Sequence, residues 1–375
     1  MSNAAPMRGR DAYIDALRGA CILAMAFFHL AVGTWAIRFT FAGSIGFFNG
    51  AEGFVFLSGL VFGRVYQRKL RELGPAVAGR AVYRRVGQIY RWHLLLLLCL
   101  LCVGWLFPTE LRGGGNRFGL AIEAPWTALW KGAILVYQPD FFDILPLYIA
   151  FLPLAWLFIR RGLLRSPWLP LASVALWACQ QFPATAFGGL ITRGAFNPAA
   201  YQVLFVLGLW FAAQPETGAV YRVLRDFRLA AVSIVAALVG LVLAHPRHLG
   251  LPGEVVLALL RFGDVDKVNL GWLRALDFLA VAHVTYYFRD QARRLPLGAL
   301  ASLGRRSLEV FAAHLAWLLV LRPVNYRIFH EAGPSVYGAY VMANIIVGTV
   351  AVWAWDARKV QRVGAPRLAQ QQMPG

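Results

Sequence analysis

The sequence predicts an all-α polytopic membrane protein with about ten transmembrane helices and with both termini in the cytoplasm. Hydrophobic residues make up 59% of the 375-residue chain and charged residues only 15%. Soluble domains carry about 25% charged residues, so a soluble protein of this composition would leave large apolar areas in water. The composition therefore excludes a soluble globular protein, a coiled coil and a disordered chain.

The apolar residues are gathered into segments that can cross a bilayer. A transmembrane helix requires about 20 consecutive, mostly apolar residues, and by this rule ten segments are candidates, several of them short or interrupted by Gly and Pro. They cover residues 12–35, 45–66, 90–107, 141–159, 167–183, 198–213, 228–245, 271–288, 298–321 and 335–355. We expect one membrane domain over residues 12–355, a cytoplasmic tail of residues 1–11 and a basic cytoplasmic tail of residues 356–375.

The distribution of Lys and Arg indicates the orientation. The chain carries 37 Lys and Arg against 18 Asp and Glu, a formal net charge of +19. With the N-terminus in the cytoplasm, 24 of these basic residues fall on the cytoplasmic side, 10 on the outer side and three within spans. Because cytoplasmic loops are enriched in Lys and Arg, the positive charge indicates topology. We expect no nucleic-acid partner.

The first span carries a stripe of polar residues. At 100° per residue Asp11, Asp15, Arg18 and His29 fall within about 60° of one another, over about 27 Å of helix. Ionisable residues inside a membrane are costly and mark functional sites. Asp15 and Arg18 can simply pair with each other, but this alternative leaves His29 unexplained. A histidine can accept a proton from a hydroxyl near neutral pH.

The second span begins with an acidic residue inside an apolar helix. Glu52, Gly59 and Gly63 share one helix face, which predicts the close approach of another helix. Ser58 lies elsewhere on the helix, where its hydroxyl can bond to the backbone or to a substrate.

Further polar residues stand in later spans. Asp143 precedes the fourth span, where an N-terminal cap and a substrate contact are both open. Arg274 and Asp277 in the eighth span are spaced for a buried salt bridge. Ser307 and His314 in the ninth span are seven residues apart and share a face.

Five blocks of residues resemble the periplasmic glucan succinyltransferases, the family of glucan biosynthesis protein C. In chain order they are Arg10 to Gly19 with His29 eleven residues after Arg18, Glu52 to Gly59, Asp143 to Tyr148, Phe196-Asn197-Pro198 through Gln202, and Leu303 to Phe311 with His314. The spacing of Arg18 and His29 is also similar to that of the wider acyltransferase-three group of membrane acyltransferases.

The resemblance implies an O-acyltransferase of the bacterial inner membrane. Such an enzyme moves an acyl group, succinyl in the best-known members, from a cytosolic coenzyme A thioester to a hydroxyl of a periplasmic glucan or other extracytoplasmic glycan. We expect His29 to be the base, held by Arg18 or Asp15, with Ser58 or Arg18 stabilising the oxyanion. The residues expected to act in catalysis are His29, Arg18, Asp15 and Glu52. Those expected to bind substrates are Asp11, Ser58, Asp143, Asn197, Arg274, Ser307 and His314.

The same resemblance defines the expected partners. They are acyl-CoA, the glycan acceptor and membrane lipid, with no tightly bound cofactor and no metal. A succinyl carboxylate calls for a basic side chain, and Arg274 is the expected one. The main alternative is a transporter or flippase of a glycan or lipid precursor, which predicts internal repeats that the sequence does not display.

Overall fold

The computed structural model describes residues 11–31, 44–112, 117–182, 196–244, 252, 254 and 265–370. These residues form helices and one two-stranded hairpin. In chain order the elements are α1 (Ala12–Ala31), β1 (Ser44–Ile45), β2 (Phe48–Asn49), α2 (Gly50–Leu106), α3 (Pro108–Arg112), α4 (Gly119–Glu123), α5 (Pro125–Ala133), α6 (Ile144–Arg160), α7 (Trp168–Cys179), α8 (Pro198–Phe211), α9 (Ala219–Val223), α10 (Phe227–Ala244), α11 (Trp272–Tyr287), α12 (Arg289–Ala292), α13 (Gly298–Arg305), α14 (Ser307–Val320), α15 (Arg322–Arg327) and α16 (Gly333–Gln370). A 3-10 turn (Leu163–Arg165) follows α6, and a π-helical turn (Ile328–Ala332) separates α15 from α16.

The helices are those of a membrane protein. Among the described residues, four helical segments are long and apolar enough to cross a bilayer: Ala12–His29, Gly50–Leu106, Phe227–Ala244 and Arg322–Trp355. Each of the ten expected spans overlaps a helix, but several of these helices are short, so the count of ten and the location of the termini stay predictions. The expected boundary after residue 355 falls inside α16, and of the expected tail 1–11 only Asp11 is described.

The long helix α2 is two helices joined at a sharp bend. Gly74 has φ 76° and ψ 169°, a backbone conformation that favours glycine, and Pro75 lacks the N–H that would continue the helix. The Tyr66 hydroxyl donates to the Ala81 carbonyl at 3.3 Å. A straight helix would separate these two residues by about 22 Å. The second and third expected spans therefore run in opposite directions, as the expected topology requires.

The start of the second expected span is a β-hairpin. β1 and β2 pair antiparallel, and Gly46 between them has φ 82°. The Asp277 carboxylate on α11 accepts a hydrogen bond from the backbone N–H of Phe47 at 2.6 Å. The helix therefore begins at Gly50 and not at residue 45, because Asp277 holds the preceding residues in a turn.

Two helix crossings depend on glycine. A Cβ on Gly304 of α13 would lie 1.7 Å from the Asp15 carbonyl oxygen, and one on Gly19 would lie 1.9 Å from the Leu300 carbonyl oxygen. The backbones of α1 and α13 therefore touch directly. The expected span 298–321 is divided at Arg306 into α13 and α14, which is a correction to a single helix.

The predicted small-residue face of α2 is confirmed. A Cβ on Gly59 would lie 2.0 Å from the Phe205 carbonyl oxygen of α8, and one on Gly63 would lie 2.6 Å from the Ala212 Cβ. Gly208 of α8 packs in return against the Phe56 carbonyl. Helices without side chains at the contact approach closely, which compensates for the weak hydrophobic driving force inside a membrane.

The glycine contact between α1 and α13 is directly testable. We expect Gly304→Ala to destabilise the protein by roughly 1–3 kcal/mol, because the new methyl group would overlap the Asp15 carbonyl. The measurement is the apparent melting temperature of the detergent-solubilised protein. Gly348→Ala is the matched control, since nothing lies within 4 Å of a Cβ at that position. Equal melting temperatures for the two variants would contradict the packing described here.

Candidate active site

Two histidines meet between α1 and α14. His29 Nδ1 lies 3.1 Å from His314 Nε2, and the two imidazole rings are stacked with centroids 5.3 Å apart. The Phe141 ring lies 4.2 Å from the His29 ring, and the Phe311 ring contacts that of His314 edge-on. The pair is thus held in place by aromatic packing on both rings.

The hydrogen bond between the rings allows two arrangements of their protons. A neutral imidazole carries one N–H, so one histidine donates and the other accepts. If His29 donates from Nδ1, its Nε2 has a free lone pair that can accept a proton. His314 then carries its own proton on Nδ1, which is buried and has no hydrogen-bond partner among the described residues.

Arg18 lies further toward the N-terminal end of α1. Its Nη2 donates to the Ser307 hydroxyl of α14, and its guanidinium lies 5.6 Å from the centre of the Phe54 ring. The contacts of Arg18 with Ser307 and of His29 with His314 occur in the same order along both helices. α1 and α14 are therefore parallel, as the expected topology requires, and the predicted shared face of Ser307 and His314 is confirmed.

A cavity of about 170 Å³ opens beside Arg18. It lies between α1, α2, α6 and α14. Its polar lining consists of Arg18, Ser58, Tyr66, Arg85, Tyr148 and Ser307, and the rest is aliphatic or aromatic. The Tyr148 hydroxyl lies 3.2 Å from the Ser58 hydroxyl. Two arginines in a mostly apolar cavity suit a ligand with an apolar part and a negative or strongly polar part.

Glu52 forms a buried ion pair that joins three helices. Its side chain is fully buried, and its Oε1 accepts from Arg274 Nε of α11 at 2.6 Å and from the Tyr201 hydroxyl of α8 at 3.1 Å. Its Oε2 accepts from the backbone N–H of Asn49 at 2.9 Å, completing a capping box at the start of α2. Both carboxylate oxygens are thus engaged, and the charge is compensated.

Further charges lie at the end of the bundle that the sequence assigns to the outer side. Arg117 pairs with Asp140 at 3.5 Å and with the buried Asp143 at 3.5 Å. Burial raises the pKa of Asp140, although the Arg117 guanidinium opposes the shift. Arg117 thus holds together two acids that lie just before the start of α6.

Lys267 stands beside the same end of α1. Its ammonium group lies 5.7 Å from the centre of the Phe28 ring and 5.2 Å from that of the Phe196 ring. Burial lowers the pKa of Lys267, with Glu52 opposing the shift. Phe28 immediately precedes His29, so this cation lies next to the histidine pair.

Asp11 lies at the opposite end of α1. Its carboxylate pairs with Arg293 at 2.9 Å and lies 3.9 Å from Arg64. Asp11 also accepts from the backbone N–H of Tyr13 at 3.0 Å. This partly exposed cluster lies at the end that the sequence assigns to the cytoplasm, far along α1 from His29.

The chain matches the family model described as OpgC protein over residues 10–361. It belongs to the OpgC family. Membership of the OpgC family supports a role in the modification of periplasmic glucans by a transferase. Comparisons with curated proteins and with solved structures find no match.

The structure corrects the expected surroundings of the base in this OpgC protein. Arg18 stands eleven residues before His29, about 16 Å along α1, and its guanidinium contacts Ser307. The hydrogen-bond partner of His29 is instead His314, through its Nε2. Arg18 and Ser58 both line the cavity, and Asp15 lies still nearer the N-terminus of α1, so the roles expected of these three residues in catalysis stay predictions.

Two other expected contacts also differ in the structure. Arg274 pairs with Glu52 and not with Asp277, whose carboxylate is taken by the hairpin. Asp143 stands at the N-cap position of α6, but its side chain makes no capping bond and contacts Arg117 instead. Each correction has the same cause, which is a stronger partner from a distant part of the chain.

Asn197 has a role that sequence reasoning did not assign. It is fully buried, its Oδ1 accepts from the backbone N–H of Ala199 at 2.9 Å, and its Nδ2 donates to Gln180 and Asn269. Because its amide group is used in capping α8 and joining neighbouring segments, the geometry favours a structural role over substrate binding.

Lys267 and Arg117 are the residues that sequence reasoning missed. Both lie in polar segments between spans, where a basic residue gives no signal. Only the fold brings them to the charged end of the bundle, near His29 and Asp143 respectively.

The buried ion pair predicts a large difference between two arginines. We expect Arg274→Met to destabilise the protein by about 3–5 kcal/mol, because it leaves the Glu52 carboxylate buried without its cation. Arg293→Met removes only a partly exposed pair with Asp11 and should cost no more than about 1 kcal/mol. The measurement is the apparent melting temperature in detergent. A smaller effect for Arg274→Met than for Arg293→Met would contradict the role given to Glu52.

Proposed function

We propose that this OpgC protein is an O-acyltransferase that moves an acyl group from a cytosolic coenzyme A thioester to a hydroxyl of a periplasmic glucan. The single observation that carries the proposal is the hydrogen bond between His29 and His314. It supplies a general base held by a second residue, which is the arrangement that activates hydroxyl groups for acyl transfer.

His29 accepts the proton of the attacking hydroxyl. In the productive tautomer its Nδ1–H donates to His314 Nε2, and its Nε2 faces the acceptor as the base. The acceptor oxygen attacks the thioester carbonyl as Nε2 takes its proton. The tetrahedral intermediate then collapses, the carbon–sulfur bond breaks, and the coenzyme A thiolate leaves and recovers a proton from His29. His314 is a positioning residue, because it acts through His29.

The cavity beside Arg18 receives the donor. Its position toward the end of α1 assigned to the cytoplasm suits a coenzyme A thioester that enters from that side. Its apolar walls suit the long pantetheine arm and its acyl group. Arg18 and Arg85 provide positive charge for a polar or anionic donor. The thioester carbonyl then lies further along α1, toward His29.

The acceptor approaches from the opposite end. There Glu52, Arg274, Arg117 and Asp143 form ion pairs that keep the ends of α2, α6 and α11 in place. We assign these residues to the framework of the acceptor site. This arrangement fits a multi-pass protein of the bacterial inner membrane with donor and acceptor on opposite sides.

The spacing of Arg18 and His29 supports placement within the wider acyltransferase-three group. In this group we expect the arginine to bind the donor and the histidine to act as the general base. The separation of the two residues along α1 is in keeping with that division of roles, because it gives each one a different environment.

The test is expression in a bacterial host that lacks its own glucan acyltransferase. Wild-type protein should add acyl groups to the extracted periplasmic glucans, seen as a mass increment by mass spectrometry. His29→Gln should lower this activity by about 10²- to 10⁴-fold at equal membrane abundance, because the base is lost. His314→Ala should lower it by about 10- to 100-fold. His314→Gln, whose amide oxygen can still accept from Nδ1–H, should retain more.

The control is His330→Gln, which changes an exposed histidine whose ring packs on those of Tyr326 and Phe329. It should leave the mass increment unchanged. Full activity of His29→Gln would refute the proposed base. Movement of unmodified glucan or lipid precursor by the wild type, without any acyl increment, would favour the transporter or flippase over the transferase.

A further inference from the structure

Among the residues that the structure describes, Lys267 makes no direct ion pair, although the charges of Glu52 and Asp143 act on it from a distance. Within the described residues, no Asp or Glu oxygen comes within 4.0 Å of its ammonium group. The acids whose charges act on Lys267 pair directly with other cations, since Glu52 pairs with Arg274 at 2.6 Å and both Asp140 and Asp143 pair with Arg117 at 3.5 Å. The contacts of the Lys267 ammonium group are instead the Phe28 and Phe196 rings.

Burying such a cation costs free energy unless a ligand of opposite charge binds to it. The side chain is half-buried, and aromatic faces replace only part of the hydration that an ammonium group loses. Arg117 and Arg274, the other cations near this end, each have a carboxylate partner. Lys267 is therefore suited to receive one negative group from outside the chain.

The position of Lys267 indicates which negative group this is. It packs on Phe28, the residue before His29, and its charge acts electrostatically on the His29 ring. An anion held by Lys267 therefore lies beside the atoms that react. In the proposed function these atoms belong to the thioester carbonyl, so the nearest second group is at the far end of the acyl chain.

We propose that Lys267 binds the free carboxylate of a dicarboxylic acyl group and so selects it over an uncharged acyl group of the same length. The inference rests on the proposed acyl transfer. Lys267 takes the role of binding the acyl carboxylate that the sequence analysis gave to Arg274, because the Arg274 guanidinium is already bound to Glu52. No new bond forms at Lys267, whose ammonium group only donates hydrogen bonds to the carboxylate.

The test compares two donors that differ in one carboxylate. Purified full-length protein in nanodiscs is given succinyl-CoA or butyryl-CoA with an uncharged glucan, and kcat/KM is measured for each donor. We expect wild type to prefer succinyl-CoA. Lys267→Met should lower kcat/KM for succinyl-CoA by about 10- to 100-fold and leave that for butyryl-CoA unchanged or higher. Lys267→Arg, which keeps the charge, should retain most of the preference.

The matched control is Lys131→Met. The Lys131 ammonium group also lies over an aromatic ring, 5.6 Å from the centre of Trp130, but that ring is exposed and lies on α5. It should behave as wild type with both donors. The melting temperature of each variant separates loss of selectivity from loss of folding, and Lys267→Arg keeps the test valid if Lys267→Met is unstable.

The other outcomes overturn the proposal in distinguishable ways. Equal losses for both donors would make Lys267 a general structural or catalytic residue. A loss seen only with glucans that carry acidic substituents would assign the anion to the acceptor. A wild-type enzyme that transfers both acyl groups equally would refute the inference but keep the proposed function. Transfer of neither acyl group would refute both.

Discussion

The fold around the site depends on how an apolar protein carries charge in its interior. A carboxylate removed from water is tolerated only with a cation and with further hydrogen bonds. Glu52 meets this condition through Arg274, Tyr201 and the Asn49 backbone, and in doing so joins α2, α8 and α11 at one end. The hairpin that leads into α2 is fixed to α11 by a second carboxylate, Asp277. These contacts hold the surroundings in which the histidine pair is placed.

The polar residues of α1 are spread along the helix, and each of them makes a different kind of contact. Asp11 forms a partly exposed ion pair at its first turn, Arg18 borders the cavity with Ser307, and His29 meets His314 near the other end. α14 runs parallel to α1 and supplies the partner at both levels. The proposed function uses this order, because the donor then reaches His29 from one end of α1 and the acceptor reaches it from the other.

Sequence periodicity predicted the features that a single helix determines. The glycine face of α2 and the shared face of Ser307 and His314 follow from 100° per residue, and both are confirmed. Partners from distant segments could not be predicted in this way. Arg274 and Asp277 have ideal spacing for a pair, yet Glu52, 222 residues away in sequence, is the partner of Arg274. Lys267 lies in a loop, where nothing in the local pattern marks it.

The central claim is that acyl transfer occurs across the membrane at His29. It is tested most directly in sealed liposomes that contain the purified protein, with glucan enclosed and radiolabelled acyl-CoA added outside. We predict that label appears on the enclosed glucan, that free coenzyme A accumulates outside, and that His29→Gln liposomes show neither. Labelling that requires detergent to bring donor and acceptor to the same side would contradict the account.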